Sequence, residues 1–390
     1  MQKLKLFFIL FIVFSGLFYV LDQYKKISPT KPVASIATIN VISNAAFTPL
    51  DQELRQSSQH FFEQTLLRSR FNGAILVARN GKIIFENYQG LQNVLSGEPI
   101  DSSTAFHLAS VSKTFTAMAI LKLWENAALQ LDDPVAKHLQ GFPFPLITIR
   151  NLLSHRSGLP NYVHFVEKLG WDTQRFITNV DILQLIIDNV SKLKPGRANA
   201  YFDYCNTNYA LLALIVEKVS QLSFSDYLDT VFFKPLGMSN SFVYDIEKAE
   251  TVLPSYKFNN RKEPMMFLDA VYGDKNIYST PRDMMKWDLA LSNNQLFSEK
   301  TLEEAFKGYS YERRGTRNYG LGWRLVEMPT GKKIIYHNGW WHGNNTVFSR
   351  LPADSTAIIV LGNKFNRSIY QAKKIAGIFK GYGIQSDDDE

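Results

Sequence analysis

The sequence predicts an α+β fold: an antiparallel sheet flanked by helices, with a large, mostly helical insert in its middle. Three observations carry that prediction. Two β-rich runs at 73–78 and 83–88 are joined through Arg79-Asn80-Gly81-Lys82, and Asn-Gly supplies the positive φ angles of a tight hairpin turn. The stretch from about 104 to 310 is then dominated by helical periodicity, with several loops that carry Gly and Pro. Short β runs return at 319–326, 333–337, 346–350 and 357–361, punctuated by Pro329-Thr330-Gly331 and Pro352-Ala353-Asp354. A closing helix at 368–379 places Ile369, Ala372, Ile375 and Phe379 on one side. A sheet assembled from both ends of a chain forms a cleft against its insert, and a functional site is expected there.

With 390 residues, 45% hydrophobic and 20% charged, the chain has ample apolar material for a large core. Its beginning differs from the rest. Lys3 and Lys5 precede an uncharged apolar run at 6–21, which ends at Asp22, Tyr24, Lys25 and Lys26. Residues 1–26 therefore read as a signal anchor or a signal peptide, with no cysteine for lipid attachment. Residues 27–49, with Pro29, Pro32, Ser28 and Ser35, read as a linker. The folded domain is expected at 50–382, opened by an amphipathic helix at 51–70 that has Leu54, Phe61, Phe62, Leu66 and Leu67 on one side. Residues 383–390 form an acidic tail. An extracytoplasmic, membrane-anchored or secreted protein is the expectation.

The formal net charge of +7 comes from scattered basic residues, several of them in the anchor region, so it reads as a solvated surface and not as a nucleic-acid interface. Cys205 is the single cysteine, which excludes an internal disulfide. His60, His107, His138 and His164 have no metal-ligand spacing, and no cofactor or metal is expected.

The chemistry-bearing pattern is Ser110-Val111-Ser112-Lys113, at the start of a helical segment at 113–124. Three residues apart on a helix, serine and lysine share a face with Cβ atoms about 5–6 Å apart, so the amine reaches the hydroxyl. A serine hydroxyl is a weak nucleophile and needs a base, whereas a freely solvated lysine, with a pKa of about 10.4, is protonated. Burial in a cleft favours the neutral form of an amine, and a helix N-terminus favours negative charge on the serine oxygen. By itself S-x-x-K has low specificity, and its isolated occurrence is most simply a capping serine beside a solvated lysine.

The surrounding residues reverse that judgement. The run Phe106-His107-Leu108-Ala109-Ser110-Val111-Ser112-Lys113-Thr114-Phe115-Thr116 resembles the nucleophile segment of the serine β-lactamase and penicillin-binding-protein-like family, in particular its class C and esterase-like branch. Further matches follow in the family's order: Leu131-Asp132-Asp133-Pro134, Leu152-Leu153-Ser154-His155-Arg156-Ser157-Gly158, Tyr204-Cys205-Asn206, Lys234-Pro235-Leu236-Gly237-Met238, Tyr319-Gly320-Leu321-Gly322-Trp323 and His337-Asn338-Gly339. The resemblance spans about residues 50 to 380 and implies a β-lactamase/transpeptidase-like fold.

What the resemblance implies for the site can be set out residue by residue. Ser110 is the acylated nucleophile, with Lys113, Tyr204 and His337 as its catalytic companions. Tyr204 relays the proton as one partner of a coupled pair with Lys113, so the identity of the general base stays open. Asn206 hydrogen-bonds a substrate amide or ester and orients the lysine. Asn338 and Gly339 border the substrate, and the backbone N–H of Trp340, with that of Ser110, forms the oxyanion hole. His337 stands where many β-lactamases have lysine, which argues against an efficient β-lactamase; it is expected either to bind a substrate carboxylate or to assist the relay. Gly339 lets substrate approach the strand.

Other residues read as structure. His155 is expected to be a satisfied structural histidine, and Cys205 a small buried apolar residue. Asn276 stands where relatives often carry glycine, and asparagine also tolerates a positive φ. No G-x-S-x-G elbow is present, which sets aside an α/β-hydrolase.

The expected function is that of a serine hydrolase that forms an acyl-enzyme on Ser110 and cleaves an ester, an amide or a D-amino-acid peptide bond of a small-molecule or peptidoglycan-derived substrate. The alternative is a catalytically silent, membrane-tethered sensor or binding module for cell-wall fragments.

Overall fold

Asn80 and Gly81, with φ of 51° and 72°, form the turn between β1 (Gly73–Arg79) and β2 (Lys82–Gln89). Both angles are the left-handed ones that a two-residue hairpin loop requires. The computed structural model describes residues 46–246, 252–312 and 315–382. The anchor segment 1–26, the linker up to residue 45 and the acidic tail 383–390 lie outside the described residues. Pro49, placed at the linker's end by the sequence, is already the first residue of the helix Pro49–Phe61, capped by Thr48, whose hydroxyl accepts from the Asp51 N–H at 3.1 Å.

The remaining strands are β3 (Leu91–Asn93), β4 (Glu98–Pro99), β5 (Phe106–His107), β6 (Phe242–Val243), β7 (Ile277–Ser279), β8 (Arg317–Tyr319), β9 (Arg324–Glu327), β10 (Lys333–Trp341), β11 (Asn344–Leu351) and β12 (Thr356–Gly362). Seven of them form an antiparallel sheet in the order β2-β1-β12-β11-β10-β9-β8. The predicted α+β architecture is thus observed: the first two strands join the last five, and everything between them is insert. The central strands β1 and β12 are buried on both faces, which explains their continuous apolar runs.

One face of the sheet packs on the helix Pro49–Phe61 and on the 3-10 helix Arg367–Ile378, through Leu54, Phe61, Ile75, Val360, Ile369 and Ile375. The other face carries the insert. There Arg350 of β11 donates from Nε to Asp288 Oδ1 at 2.6 Å, in the helix Pro281–Ala290, with both residues buried.

Two expectations need correction. The insert is not helical throughout: β5, β7 and β6 form a three-stranded sheet inside it, each strand too short to show a period of two. The run at 319–326 is two strands, β8 and β9, paired antiparallel across a turn at 320–323, because Gly320 and Gly322 interrupt an otherwise apolar sequence.

Because the Arg350–Asp288 pair joins sheet to insert away from water, Asp288→Ala would leave a buried guanidinium without its carboxylate, with the Ser292 hydroxyl still accepting from it at 2.8 Å. It is expected to cost about 3–5 kcal/mol in a chemical denaturation experiment, while the double change of Asp288 and Arg350 to apolar residues recovers much of that loss.

Candidate active site

The nucleophile turn is built from short-range constraints. Leu108 N–H donates to Ile277 O at 2.8 Å, Ala109 takes φ of 47°, and the 3-10 turn Ala109–Val111 leads straight into the helix Ser112–Glu125. His107 holds the turn from below. Its Nδ1 accepts from the Ala109 N–H at 3.0 Å, so its Nε2 carries the proton and donates to Asn276 Oδ1 at 2.9 Å. Asn276 has the expected positive φ, 73°, and donates from Nδ2 to Asp269 O and Val271 O. Burial pushes the His107 imidazole down to about 4, so this arrangement is that of a neutral ring.

Lys113 lies one helical turn past Ser110 and is 0% exposed. Its Nζ donates to Ser110 Oγ at 3.1 Å and to the carbonyl of Asp274 at 2.7 Å, and it lies 5.1 Å and 5.7 Å from the ring centres of Tyr204 and Tyr209. An amine held this way is in position to exchange a proton with the serine hydroxyl.

His155 fixes the Tyr204 segment. Its carbonyl accepts from the Asp203 N–H at 2.8 Å and its Nδ1 from the Cys205 N–H at 3.1 Å, so Tyr204 is gripped on both sides. The two rings lie 4.4 Å apart. His155 is buried and its pKa falls well below 6.5, first through burial and then through the charge of Lys113. It is structural, as expected, although its Nε2 has no hydrogen-bond partner among the described residues. Cys205 is buried, and burial raises its thiol to about 11, which fits its reading as a small apolar residue. Asn206 opens the helix Asn206–Ser220; its Oδ1 is buried without a hydrogen-bond partner among the described residues.

The third element is β10. Its neighbour β9 pairs only as far as Tyr336, opposite Arg324, so the segment 337–341 has no strand on that side. Gly339 passes directly beneath the nucleophile turn: a Cβ there would lie 2.2 Å from Thr346 Oγ1 and 2.5 Å from Leu108 O. The next residue, Trp340, is 64% exposed and lines the same cleft as Ser110. A cleft of about 950 Å³ is lined by Ser110, Tyr204, Asn206, Asn338, Gly339 and Trp340 together with other residues.

His337 differs from expectation. It is 0% exposed and does not line the cleft; its Nδ1 donates to Asn338 O at 2.7 Å and its Nε2 accepts from the Tyr319 hydroxyl at 3.3 Å. Burial first, then the charges of Arg324 and Lys113, hold the imidazole neutral, well below 6.5. A direct grip on a substrate carboxylate does not fit this inward orientation. His337 instead backs Tyr204, at 6.2 Å between ring centres.

Several residues at the site have no motif to announce them. Tyr162 donates to Asp274 Oδ2 at 2.9 Å, and Lys275, 2% exposed, donates to the Tyr162 oxygen at 2.5 Å and lies 4.7 Å from the Trp341 ring centre. Asp269 accepts from Trp341 Nε1 and lies 2.9 Å from His342 Nε2. Arg324 lies over the Tyr204 ring at 5.3 Å. Lys275 and Asp274 were legible only as residues of a loop; their burial arises from contacts with Lys113 and Tyr162, more than 100 positions away, and with Trp341 of β10.

With this geometry in view, comparison with known proteins is direct. The chain belongs to the Beta-lactamase family, whose model matches residues 58–378, and hence to a family of serine hydrolases. It is 32% identical over 340 residues to penicillin-binding protein 4* of Bacillus subtilis strain 168, covering 83% of this chain and 74% of that protein. The crystal structure of a penicillin-binding protein from Bacillus halodurans is similar, with a TM-score of 0.71 and 25% identity over 83% of this chain and 99% of that one. D-amino acid amidase from Ochrobactrum anthropi SV3, at 20% identity over 84% of this chain and 97% of that one, shares the fold with a TM-score of 0.67.

Two outcomes follow from the geometry. Gly339→Val drives β10 and the nucleophile turn apart, so turnover of any substrate the wild type accepts is expected to fall by about two orders of magnitude or more, a loss as large as serine hydrolases in general show on losing one oxyanion-stabilising donor. His107, His155 and His337 are buried and neutral, whereas the unfolded chain binds protons on them below about pH 6.5. Stability is therefore expected to fall as pH drops through 6.5 towards 5, by up to ~1.4 kcal/mol per unit for each histidine, read as a falling denaturation midpoint.

Proposed function

We propose that this protein is a serine hydrolase that forms an acyl-enzyme on Ser110 and cleaves an ester, an amide or a D-amino-acid peptide bond. The observation that carries the reading is the fully buried Lys113 amine, 3.1 Å from a serine oxygen that lines the cleft.

Ser110 Oγ attacks the substrate carbonyl carbon while its proton passes to the Lys113–Tyr204 pair. The backbone N–H groups of Ser110 and Trp340 stabilise the oxyanion. Collapse breaks the bond to the leaving alcohol or amine, which takes the proton, and water then hydrolyses the ester on Ser110 by the same route. Asn206 Oδ1, buried and without a hydrogen-bond partner among the described residues, accepts from a substrate N–H; Asn338 and Gly339 border the bound chain. His337 acts through Tyr319 and Tyr204 and not on substrate. The names of two relatives, a penicillin-binding protein and a D-amino acid amidase, support acyl transfer at D-configured or cell-wall-derived amides. The apolar run at 6–21 with its flanking lysines supports an extracytoplasmic domain on a membrane anchor.

A fluorophosphonate or β-lactam probe is expected to add one adduct, mapped to Ser110 by peptide mass spectrometry and absent from Ser110→Ala. Folded protein that takes up no adduct from a broad panel of such probes contradicts the reading. Lys113→Met is expected to lower the acylation rate at least ~10³-fold, with the thermal midpoint measured in parallel to separate chemistry from folding.

A further inference from the structure

Asn206 Oδ1 is one hydrogen-bond acceptor of the cleft that no described residue satisfies, and the far end of β10 supplies a second. Gly339 faces the nucleophile turn, and Trp341, two residues on, shares its side of the sheet. Trp341 Nε1 donates to Asp269 Oδ1 at 2.8 Å, and the next residue, His342, directs its Nε2 at the same carboxylate, 2.9 Å from Oδ1 and 3.0 Å from Oδ2. The Met266 N–H donates to Asp269 Oδ2 at 2.7 Å. Burial works against the charge on Asp269, but the hydrogen bonds from His342, Met266 and Trp341 outweigh it and hold the carboxyl below the usual carboxylate range. Asp269 is therefore an acceptor towards each of them, and Nε2 carries the ring proton when His342 is neutral. Nδ1 is left as an acceptor. It receives no hydrogen bond from a described residue, and His342 lines the cavity that exposes Ser110.

The ring is held there from several sides. His342 takes the left-handed φ of 50°, and its carbonyl accepts from Trp340 Nε1 at 3.0 Å. The following Gly343 lies so close to the neighbouring loop that a Cβ on it would be 2.2 Å from Tyr256 O. A substrate that covers such a fixed acceptor without donating to it strands a polar atom, which is how a binding site rejects the wrong ligand. We propose that His342 is a specificity-determining residue whose Nδ1 accepts from a second substrate N–H, beyond the one received by Asn206. The inference rests on the hydrolase reading of Ser110. A strand rises about 3.4 Å per residue, so His342 lies about 10 Å of chain beyond Gly339, and the second N–H is several bonds from the scissile carbonyl. Extended substrates with two N–H donors are thus preferred to esters of plain carboxylic acids.

The test separates this acceptor from the chemistry. In enzyme whose Ser110 takes a fluorophosphonate, kcat/KM is compared across p-nitrophenyl esters of N-acylated dipeptides, of D and L configuration, in which each amide N–H in turn is replaced by oxygen. One replacement is expected to cost the wild type about tenfold or more, mainly in KM. The same replacement is expected to cost about twofold or less in His342→Phe, which keeps a ring, and in His342→Gly, which suits the left-handed backbone. A cost that belongs to one N–H and vanishes with one side chain is a coupling that a merely structural histidine does not produce. Independently of turnover, Ser110→Ala protein is expected to bind the parent dipeptide amide about tenfold more tightly than its oxygen analogue in calorimetry, with the difference lost when His342→Phe is added. Normal labelling of Ser110, with replacement costs that are absent or persist in both His342 variants, overturns the role of His342 and leaves the hydrolase reading intact. A calorimetric difference that His342→Phe removes, in protein that no probe labels, supports the acceptor and overturns the hydrolase reading instead. Tighter binding of a ligand with a carboxylate in place of the second amide, lost in the same variants, overturns the acceptor in favour of an imidazolium that donates.

Discussion

The burial of the Lys113 amine is the constraint on which the rest of the site depends. An ammonium or amine removed from water needs partners that replace its hydration, and this one finds a serine hydroxyl, a backbone carbonyl and two aromatic faces. Each partner comes from a different part of the chain. Ser110 is one turn away, Asp274 lies on the loop before β7, and Tyr204 and Tyr209 flank the start of the Asn206–Ser220 helix. Satisfying a single side chain therefore draws three distant segments together, and two of its partners, Ser110 and Tyr204, line the cleft.

A second layer keeps that arrangement rigid. Asp274, whose carbonyl receives Lys113, is itself held through its carboxylate by Tyr162 and Lys275. Lys275 lies against Trp341, and Trp341 shares Asp269 with His342 at the end of β10. The loop that orients the amine and the strand that borders the nucleophile are thus fastened to each other. Buried hydrogen-bonded groups of this kind tolerate little displacement, because any broken bond leaves a polar atom unsatisfied in a dry interior. His107 does the same on the other side, between Ala109 and Asn276.

The histidines illustrate how far environment outweighs residue type. His107, His155 and His337 lie within the site region, yet burial and neighbouring positive charge keep all three neutral. Each uses one ring nitrogen as an acceptor: for a backbone N–H in His107 and His155, and for a tyrosine hydroxyl in His337. They shape the cleft by fixing the nucleophile turn, the Tyr204 segment and the back of that tyrosine. The open edge of β10 has a similar origin, since β9 is short and turns away at Arg324, exposing the strand beside Ser110.

The sequence by itself determined the antiparallel hairpin at Asn80-Gly81, the returning strands and the closing helix, because each rests on local spacing: a period of two, a period near 3.6, or a turn residue with positive φ; Ser110 and Lys113 share a helix face by spacing, but only the resemblance of the residues around them marked them as a site. The order of the later motifs also marked Tyr204, Asn206 and Gly339 as site residues, and all three line the cleft. Tertiary structure decided the remainder. The strands β5, β6 and β7 are too short for periodicity to speak, and His337 points inward because of its register on β10 and the packing of Tyr319 behind it, which no local pattern encodes. Lys275, an unremarkable residue in a loop, becomes a buried cation because Tyr162, Asp274 and Trp341 close around it. Burial is a property of contacts between distant segments, so charge state, accessibility and the extent of the cleft were fixed only when the chain had folded.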